Sequence, residues 1–254
     1  GAALRSNYND ATLMDCQFVG NNTGFYVLNS APYLWNCLFE RNTEAVVALN
    51  TDLTAQHCVF VENSAFQGGA LYLDYGNSNV LENCILNGNV ATQAGGAIWC
   101  GMEAQLFIRN CTLAHNSAPI GNAVAFVYME DPARTLEIRN SILWNSNPEI
   151  YALEGDTVSV TYSNISHAFS GIGNISADPQ FVAPAGDDGI PGTADDDLHL
   201  APLRPASTPA TRTTQSRRWK PISMMSRACG MAMRTCTSRW TWERTSIGRL
   251  NWAT

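Results

Sequence analysis

The first 202 residues contain no lysine and only five arginines, against 21 aspartates and glutamates, for a formal net charge of −16. A nucleic-acid-binding surface needs lysine and arginine to neutralise phosphates, so this composition argues against a nucleic-acid partner. No run of about 18 apolar residues occurs, so the sequence predicts no membrane-spanning helix. Apolar residues nowhere recur with the period of an α-helix, so helices are not expected either.

The eight cysteines include no CxxC pair and no cluster with histidine, so a zinc site is not expected. Five of them recur at intervals of 21 to 27 residues: Cys16, Cys37, Cys58, Cys84 and Cys111. We interpret them as buried free thiols that pack as small apolar side chains. Disulfides between neighbouring members are the alternative, because stacked β-coils lie about 4.8 Å apart.

These cysteines mark a repeat in which an apolar residue stands three positions before the cysteine and Phe or Leu two positions after it. The six copies are Leu13–Asn21, Leu34–Asn42, Ala55–Asn63, Leu81–Asn89, Ile108–Asn116 and Ile138–Ser146, with Ser141 replacing the last cysteine. Both apolar columns should face a core. A period of 21 to 30 residues indicates a solenoid, in which each unit buries its apolar face against its neighbours.

The residue before each cysteine is Asp, Asn or His, and these types tolerate a positive φ best among non-glycine residues. The column therefore predicts a corner between two short strands: Asp15, Asn36, His57, Asn83, Asn110 and Asn140. A second corner is predicted at the asparagine column: Asn21, Asn42, Asn63, Asn89 and Asn116. A third strand should follow Gly68-Gly69, Gly95-Gly96 and Gly121-Asn122. The predicted fold is all-β, a parallel β-helix with three short strands per coil.

Two sets of motifs resemble known families. Phe60–Asn63 followed by Gly68–Leu71 (FxxN, then GGAL) resembles the repeats of bacterial polymorphic outer-membrane proteins. Asn140–Asn145, Tyr162–Ile165 and Gly173–Val182 resemble the last coils and exit of secreted right-handed β-helix proteins, some of which are grouped as choice-of-anchor proteins. The resemblance covers residues 1–202. It implies a right-handed helix located outside the cell or on the outer-membrane surface, and it implies no reaction.

Three segments are expected. Residues 1–182 form the β-helix, which we expect to lack upstream coils because its opening GAAL matches GGAL inside a later repeat. Residues 183–202 form an acidic loop rich in Gly and Asp, followed by residues 203–254 as an irregular tail.

The tail reverses the charge, with ten Lys and Arg against one Glu. The resemblance implies that DLHLAP, ending at Pro202, should continue with a pattern such as GSPSIDAGD and later VDMGAYE. Degenerate codons for Leu203–Thr211, read from their third bases, admit SPSIDAGD, and those for Thr235–Glu243 admit VDMG. We therefore interpret residues 203–254 as a frame-shifted, unstructured tail produced by one lost base near Pro202.

One flank of the predicted helix is a candidate ligand site. Tyr72 and Trp99 should point outward on adjacent coils, with Asp74 and Glu103 just beyond them. Flat aromatic rings beside carboxylates suit sugar rings, which stack on the rings and form hydrogen bonds through their hydroxyls. An ordinary aromatic cross-strand pair beside a solvated loop is the alternative.

The acidic loop is a candidate calcium site, because carboxylates provide the oxygen ligands that Ca²⁺ prefers. The candidate ligands are Asp187, Asp188, Asp195, Asp196 and Asp197. Their spacing is not that of an EF-hand, and a solvated acidic loop is the alternative. No other cofactor is expected.

The expected function is a secreted or cell-surface stalk with a structural, adhesive or glycan-contacting role, monomeric, with polysaccharide or cell-surface components as partners. The competing class is a polysaccharide lyase or glycoside hydrolase of the pectin-lyase-like β-helix type. Arg109 and Arg139 lie in the same outward column as Glu82, where a cross-coil ion pair explains them better than catalysis. No catalytic residue is assigned.

Overall fold

The computed structural model describes residues 1–76, 78–127, 134–146 and 148–202. The described residues contain β-strands and turns and no helix, so none of them forms a helix long and apolar enough to cross a membrane. In chain order the strands are β1 (Ala2–Asn7), β2 (Thr12–Met14), β3 (Gln17–Val19), β4 (Thr23–Ser30), β5 (Tyr33–Trp35), β6 (Leu38–Glu40), β7 (Glu44–Thr51), β8 (Thr54–Gln56), β9 (Val59–Val61), β10 (Ser64–Gln67), β11 (Leu71–Asp74), β12 (Asn79–Glu82), β13 (Ile85–Asn87), β14 (Val90–Ala94), β15 (Ile98–Cys100), β16 (Leu106–Arg109), β17 (Thr112–Ala114), β18 (Val124–Phe126), β19 (Thr135–Arg139), β20 (Ile142–Trp144), β21 (Ile150–Tyr151), β22 (Thr157–Thr161), β23 (Asn164–Ile165), β24 (Phe181–Ala183) and β25 (Asp197–Leu200).

Three parallel sheets of seven strands each form the faces of the solenoid. Sheet A has the order β1-β4-β7-β11-β15-β18-β21, sheet B the order β2-β5-β8-β12-β16-β19-β22, and sheet C the order β3-β6-β9-β13-β17-β20-β23. Each coil contributes one strand to each sheet, so the chain folds as the predicted parallel β-helix. A two-stranded parallel ledge, β10 with β14, lies between sheets C and A in the chain.

The corners between sheets B and C are single residues in the left-handed region. Their φ values lie between 50° and 55° at Asp15, Asn36, His57, Asn83, Asn110 and Asn140, which confirms the sequence prediction. The side chains also join along the axis at one pair, because Asn36 Nδ2 donates to Asp15 Oδ1 at 2.6 Å. One αL residue turns the strand enough for both flanking apolar positions to face inward.

The two apolar columns form the core. Leu34, Leu81 and Ile108 are fully buried in the column before the cysteines. In the column after them, the Phe18 and Phe39 rings stack at 4.7 Å and the Phe39 and Phe60 rings at 5.0 Å. Consecutive coils therefore place identical side chains directly on one another, as the repeat predicts.

The five cysteines occupy one file, since in each coil the residue after the cysteine donates its backbone N–H to the cysteine carbonyl of the preceding coil. All five are free thiols; four are buried, and Cys16 in the first coil is half-buried. The file continues beyond them: Cys111 N donates to Ser141 Oγ at 3.1 Å, and Ser141 N to Ser163 Oγ at 3.2 Å. Ser163 is a seventh member that the sequence alignment missed.

The asparagine column is a continuous hydrogen-bonded ladder. Asn63 Oδ1 accepts both the backbone N–H and the Nδ2 of Asn42 at 3.0 Å, and Asn63 Nδ2 donates to Asn89 Oδ1 and to the Phe39 carbonyl at 2.9 Å. The same pattern joins Asn21 to Asn42 and Asn89 to Asn116. This ladder satisfies the backbone groups that a turn would otherwise leave buried and unpaired.

The segment after the last coil folds back along sheet C. Strands β24 and β25 pair antiparallel, and the acidic loop between them, here called the strap (residues 184–196), reaches the middle coils. The backbone at Gly192 lies so close to Gly88 that a Cβ at Gly88 would be 1.8 Å from the Gly192 carbonyl oxygen. The interpretation of residues 203–254 as a frame-shifted tail lies outside the described residues.

Candidate functional site

Tyr72 and Trp99 pair across β11 and β15, and their rings stack at 4.3 Å with an angle of 18°. They lie on adjacent coils, as expected. Trp99, however, is fully buried, which corrects the expectation that both rings are exposed. Its ring packs with Ala94 at the end of the ledge and with Ala125 on the next coil, so no ring face is left for a sugar.

The two carboxylates beside these rings differ in their surroundings. Asp74 Oδ1 accepts the backbone N–H of Met102 at 2.9 Å and lies against Gly101, where a Cβ would be 2.1 Å from that oxygen. Asp74 therefore holds the turn that follows β15. Glu103 is an exposed residue of the same turn with φ 56°. The four predicted residues thus lie near one edge of sheet A, with one exposed carboxylate and one half-buried ring.

A shallow depression of about 130 Å³ lies beside Tyr72. Its lining includes Phe66 on the ledge, whose side chain is 66% exposed, and the carboxylate of Glu44. Gln67 Nε2, on the rim, donates to Gln93 Oε1 at 2.6 Å. Sequence reasoning missed Phe66, because the ledge has no counterpart in the cysteine-centred repeat.

In the strap, Asp195 organises the first half of the loop. Its Oδ2 accepts the backbone N–H groups of Asp187 at 2.6 Å and Asp188 at 3.1 Å. Its Oδ1 accepts the Thr193 hydroxyl at 2.7 Å. The hydroxyl of Thr193 lowers the pKa of Asp195 most, and the backbone donors act in the same direction.

Asp196 attaches the strap to the β-helix. Its side chain is 1% exposed, and its Oδ2 accepts Gly192 N at 2.6 Å and Asn87 Nδ2 at 2.8 Å. His115 Nδ1 is 3.6 Å from the same oxygen and 3.0 Å from Asn87 Oδ1. Burial lowers the pKa of His115, although Asp196 opposes that shift. Sequence reasoning found no partner for His115 and did not foresee this contact.

The fifth aspartate of the acidic segment, Asp197, lies at the start of β25, where its Oδ1 contacts His199 Nδ1 at 2.6 Å. Within the described ranges, no group of three or more His, Cys, Asp and Glu side chains is arranged to hold a metal ion. Asp196 Oδ1 is buried and has no hydrogen-bond partner among the described residues. Calcium binding by this loop stays a prediction.

A carboxyl group with altered acidity lies where the strap meets the corner before the asparagine ladder. Glu62 has φ 54° and lies near Arg41 and Glu40 of the preceding coil and Asp188 of the strap. Burial raises the pKa of Glu62, Arg41 lowers it, and the other carboxylates raise it further. Arg41 forms an ion pair with Glu40.

The charged column of sheet B forms the expected cross-coil pair. Arg109 Nη1 lies 3.3 Å from Glu82 Oε1, and its other amino group lies 3.9 Å from Glu137. Arg139 contacts Glu137 at 3.1 Å. These half-exposed pairs contribute little stability, roughly 0–1 kcal/mol each. The predicted cross-coil ion pair between Arg109 and Glu82 is confirmed.

The family model described as "Right handed beta helix region" matches residues 1–113. That segment contains the first four complete coils and part of the fifth, with the corners up to Asn110, the cysteine file up to Cys111 and the asparagine ladder up to Asn89. The match covers less than half of the chain, and it agrees with the β-helix that the described residues form. Neither the comparison with curated proteins nor the comparison with solved structures returned a match.

In this β-helix repeat protein, most polar side chains near the candidate sites form hydrogen bonds with neighbouring coils or with the strap. Thr23 donates to Glu44 Oε2 at 2.9 Å, for example, and Gln56 Nε2 donates to Glu82 Oε2 at 2.8 Å. The groups that reach solvent near these sites are therefore half-buried aromatic rings bordered by amides and carboxylates.

Proposed function

We propose that this β-helix repeat protein is a secreted or cell-surface stalk that contacts glycans. The supporting observation is the ladder running from Asn21 through Asn116 to Asn145 along the solenoid axis. In this ladder each coil forms hydrogen bonds with backbone groups of the neighbouring coil. Bending or opening one coil therefore breaks hydrogen bonds to both of the coils beside it. A rod of this kind keeps its lateral faces fixed at the coil spacing of about 4.8 Å.

The proposed partner is a polysaccharide or another carbohydrate of the cell surface. The depression beside Tyr72 supports this proposal, since it combines the exposed Phe66 ring with the Glu44 carboxylate and the Gln67 amide. Aromatic faces stack on sugar C–H groups, while amides and carboxylates form hydrogen bonds with hydroxyls. Asp74, at the end of β11, and Glu103, in the turn after β15, lie outside the lining of this depression.

A binding assay on immobilised polysaccharides tests this proposal with the full chain. We expect the double variant Phe66→Ala, Tyr72→Ala to bind more weakly, because both aromatic rings on which a sugar could stack are removed. Tyr162→Ala is the matched control, since Tyr162 is 63% exposed on the distant C-terminal coil. Failure of the unmodified chain to bind any polysaccharide would overturn the glycan proposal.

A polysaccharide-cleaving activity is the second candidate, and Glu62 favours it. A carboxyl group with a raised pKa beside a second carboxylate has the chemistry of a general acid. Incubation with polysaccharides, followed by measurement of new reducing ends or unsaturated products, tests this candidate. Product release that Glu62→Gln abolishes would support cleavage, whereas release that the variant leaves unchanged would exclude Glu62.

A further inference from the structure

Two aromatic side chains on sheet B project from the same strand face. In β5 the middle residue, Leu34, is fully buried, so Tyr33 and Trp35 both point outward, and each is half-buried. Their ring centroids are 6.4 Å apart and their planes differ by 26°. The two rings are therefore nearly parallel neighbours on the outer face of the second coil, and this aromatic pair is here called the Tyr33–Trp35 platform.

The next coil holds both rings in place. The Tyr33 hydroxyl donates to Gln56 Oε1 at 2.8 Å. The His57 ring meets Trp35 edge-on, with centroids 4.5 Å apart and planes at 65°. His57 is itself fixed as a corner residue with φ 55°. Because both rings are already held in place, a ligand that stacks on them costs little side-chain conformational entropy.

Polar groups border the platform on the same face. Gln56 Nε2 donates to Glu82 Oε2 at 2.8 Å, and Arg109 extends this network to the following coil. At the adjacent corner, Asn36 pairs with Asp15. The preceding coil presents Met14, 54% exposed, beside Trp35 in the same column. The surface is thus apolar at its centre and rich in hydrogen-bonding groups at its edge.

We propose that the Tyr33–Trp35 platform binds a neutral polysaccharide, with a pyranose ring stacked on Trp35 and hydroxyls directed to Gln56 and Glu82. The C–H face of a pyranose matches the flat ring surface, and its equatorial hydroxyls match the polar border. Charge favours a neutral chain over an anionic one, because residues 1–202 carry 21 acidic residues against five arginines. This inference rests on the proposed glycan-contacting function, but it places the contact on sheet B instead of at the depression of sheet A.

Affinity electrophoresis and calorimetry on the full chain test the platform. The probes are soluble mixed-linkage β-glucan, xylan and galactomannan as neutral chains, and polygalacturonate and alginate as anionic chains. We expect binding to at least one neutral probe, and Trp35→Ala should weaken it by about tenfold or more, through loss of the stacked ring. Tyr33→Phe keeps its ring but loses the hydrogen bond to Gln56, so its binding should fall less.

The matched control is Trp144→Ala, which removes a half-buried tryptophan from the outer face of sheet C. A thermal melt of each variant confirms that the β-helix is intact before binding is compared. Neutral-chain binding that survives Trp35→Ala but is lost in the Phe66→Ala, Tyr72→Ala variant would overturn the platform and leave the proposed function standing. Preference for the anionic probes would overturn the neutral class, and no binding to any polysaccharide would overturn both proposals.

Discussion

Asn145 accepts both the backbone N–H and the side-chain amide of Asn116, at 2.6 Å and 3.0 Å. It occupies the sixth position of the asparagine ladder although the repeat alignment places Ser146 there. Asn145 in turn donates its backbone N–H and its amide to the two oxygens of Glu149, each at 2.7 Å. The ladder therefore ends on a carboxylate that is only 4% exposed.

Removing one internal member of the ladder should destabilise the protein strongly. Asn63→Ala leaves the buried backbone N–H of Asn42 and the carbonyl of Phe39 without their partners. We expect a loss of about 2–4 kcal/mol in the free energy of unfolding, measured by urea titration. Gln93→Ala is the control: it breaks a similar amide pair on the exposed ledge and should cost less than about 0.5 kcal/mol. Equal effects of the two changes would contradict a stabilising role for the ladder.

Glu149 should make stability depend on pH. Burial raises the pKa of Glu149 above its ordinary value of 4.5, although hydrogen bonds from Ser166 and Asn145 oppose the shift. A carboxyl whose pKa is raised by folding stabilises the folded state at low pH, and this contribution is lost as the pH rises through the folded pKa. The free energy of unfolding should therefore fall in the wild type relative to the Glu149→Gln variant as the pH rises from 4 to 7. A constant difference across that range would show that Glu149 does not titrate differently in the two states.

The repeat made the corners and the core predictable. Asp, Asn or His recurs before each cysteine, and all three residue types tolerate the left-handed αL conformation. His57 and Asn83 adopt it, as predicted. The same register placed the cysteine file and the asparagine ladder. Ser163 and Asn145 escaped prediction because the last coils depart from the spacing of the earlier ones.

The surface sites were harder to predict because they depend on segments outside the repeat. Trp99 pairs with Tyr72 in the strand register, so its side chain points to the outer face of sheet A. It is buried only because the ledge and the next coil cover it. The contact between Asn87 and Asp196 joins residues 109 positions apart, and no periodicity relates them. Local pattern fixes which way a side chain points, whereas long-range packing decides whether solvent reaches it.

Trp99 should contribute strongly to the stability of the folded protein. Its ring is fully buried between Ala94 and Ala125, so Trp99→Ala removes a large side chain from a packed environment. We expect a loss of about 3–5 kcal/mol in urea unfolding. Phe66→Ala, on the exposed ledge nearby, should change the unfolding free energy by less than about 1 kcal/mol. A small effect at Trp99 would contradict the packing described for sheet A.

Calcium provides a separate test of the strap. Asp196 Oδ1 is buried without a hydrogen-bond partner among the described residues, so it is the carboxylate oxygen best placed to gain from a bound cation. If the loop binds Ca²⁺, millimolar calcium should raise the melting temperature by mass action, and Asp196→Asn should abolish the rise. A melting temperature that does not respond to calcium would favour a loop held by hydrogen bonds alone.

Docking of the strap on sheet C should be separable from the stability of the coils. Gly88→Ala places a methyl group 1.8 Å from the Gly192 carbonyl oxygen, at a residue with φ 62°, so the strap must move away. Hydrogen exchange measured by mass spectrometry should then quicken in residues 186–197, while the core strands β11 to β18 stay protected.

Acidification should loosen the same contact through His115. Folding lowers the pKa of His115 below its ordinary value of 6.5 because burial disfavours the charged ring. The resulting stability is present above pH 6.5 and is lost as the pH falls through the folded pKa. Exchange in the strap should therefore quicken on acidification in the wild type, and His115→Gln should remove that dependence, since glutamine does not titrate. Strap exchange with the same acid response in both proteins would assign the effect to the aspartates of the loop instead of to His115.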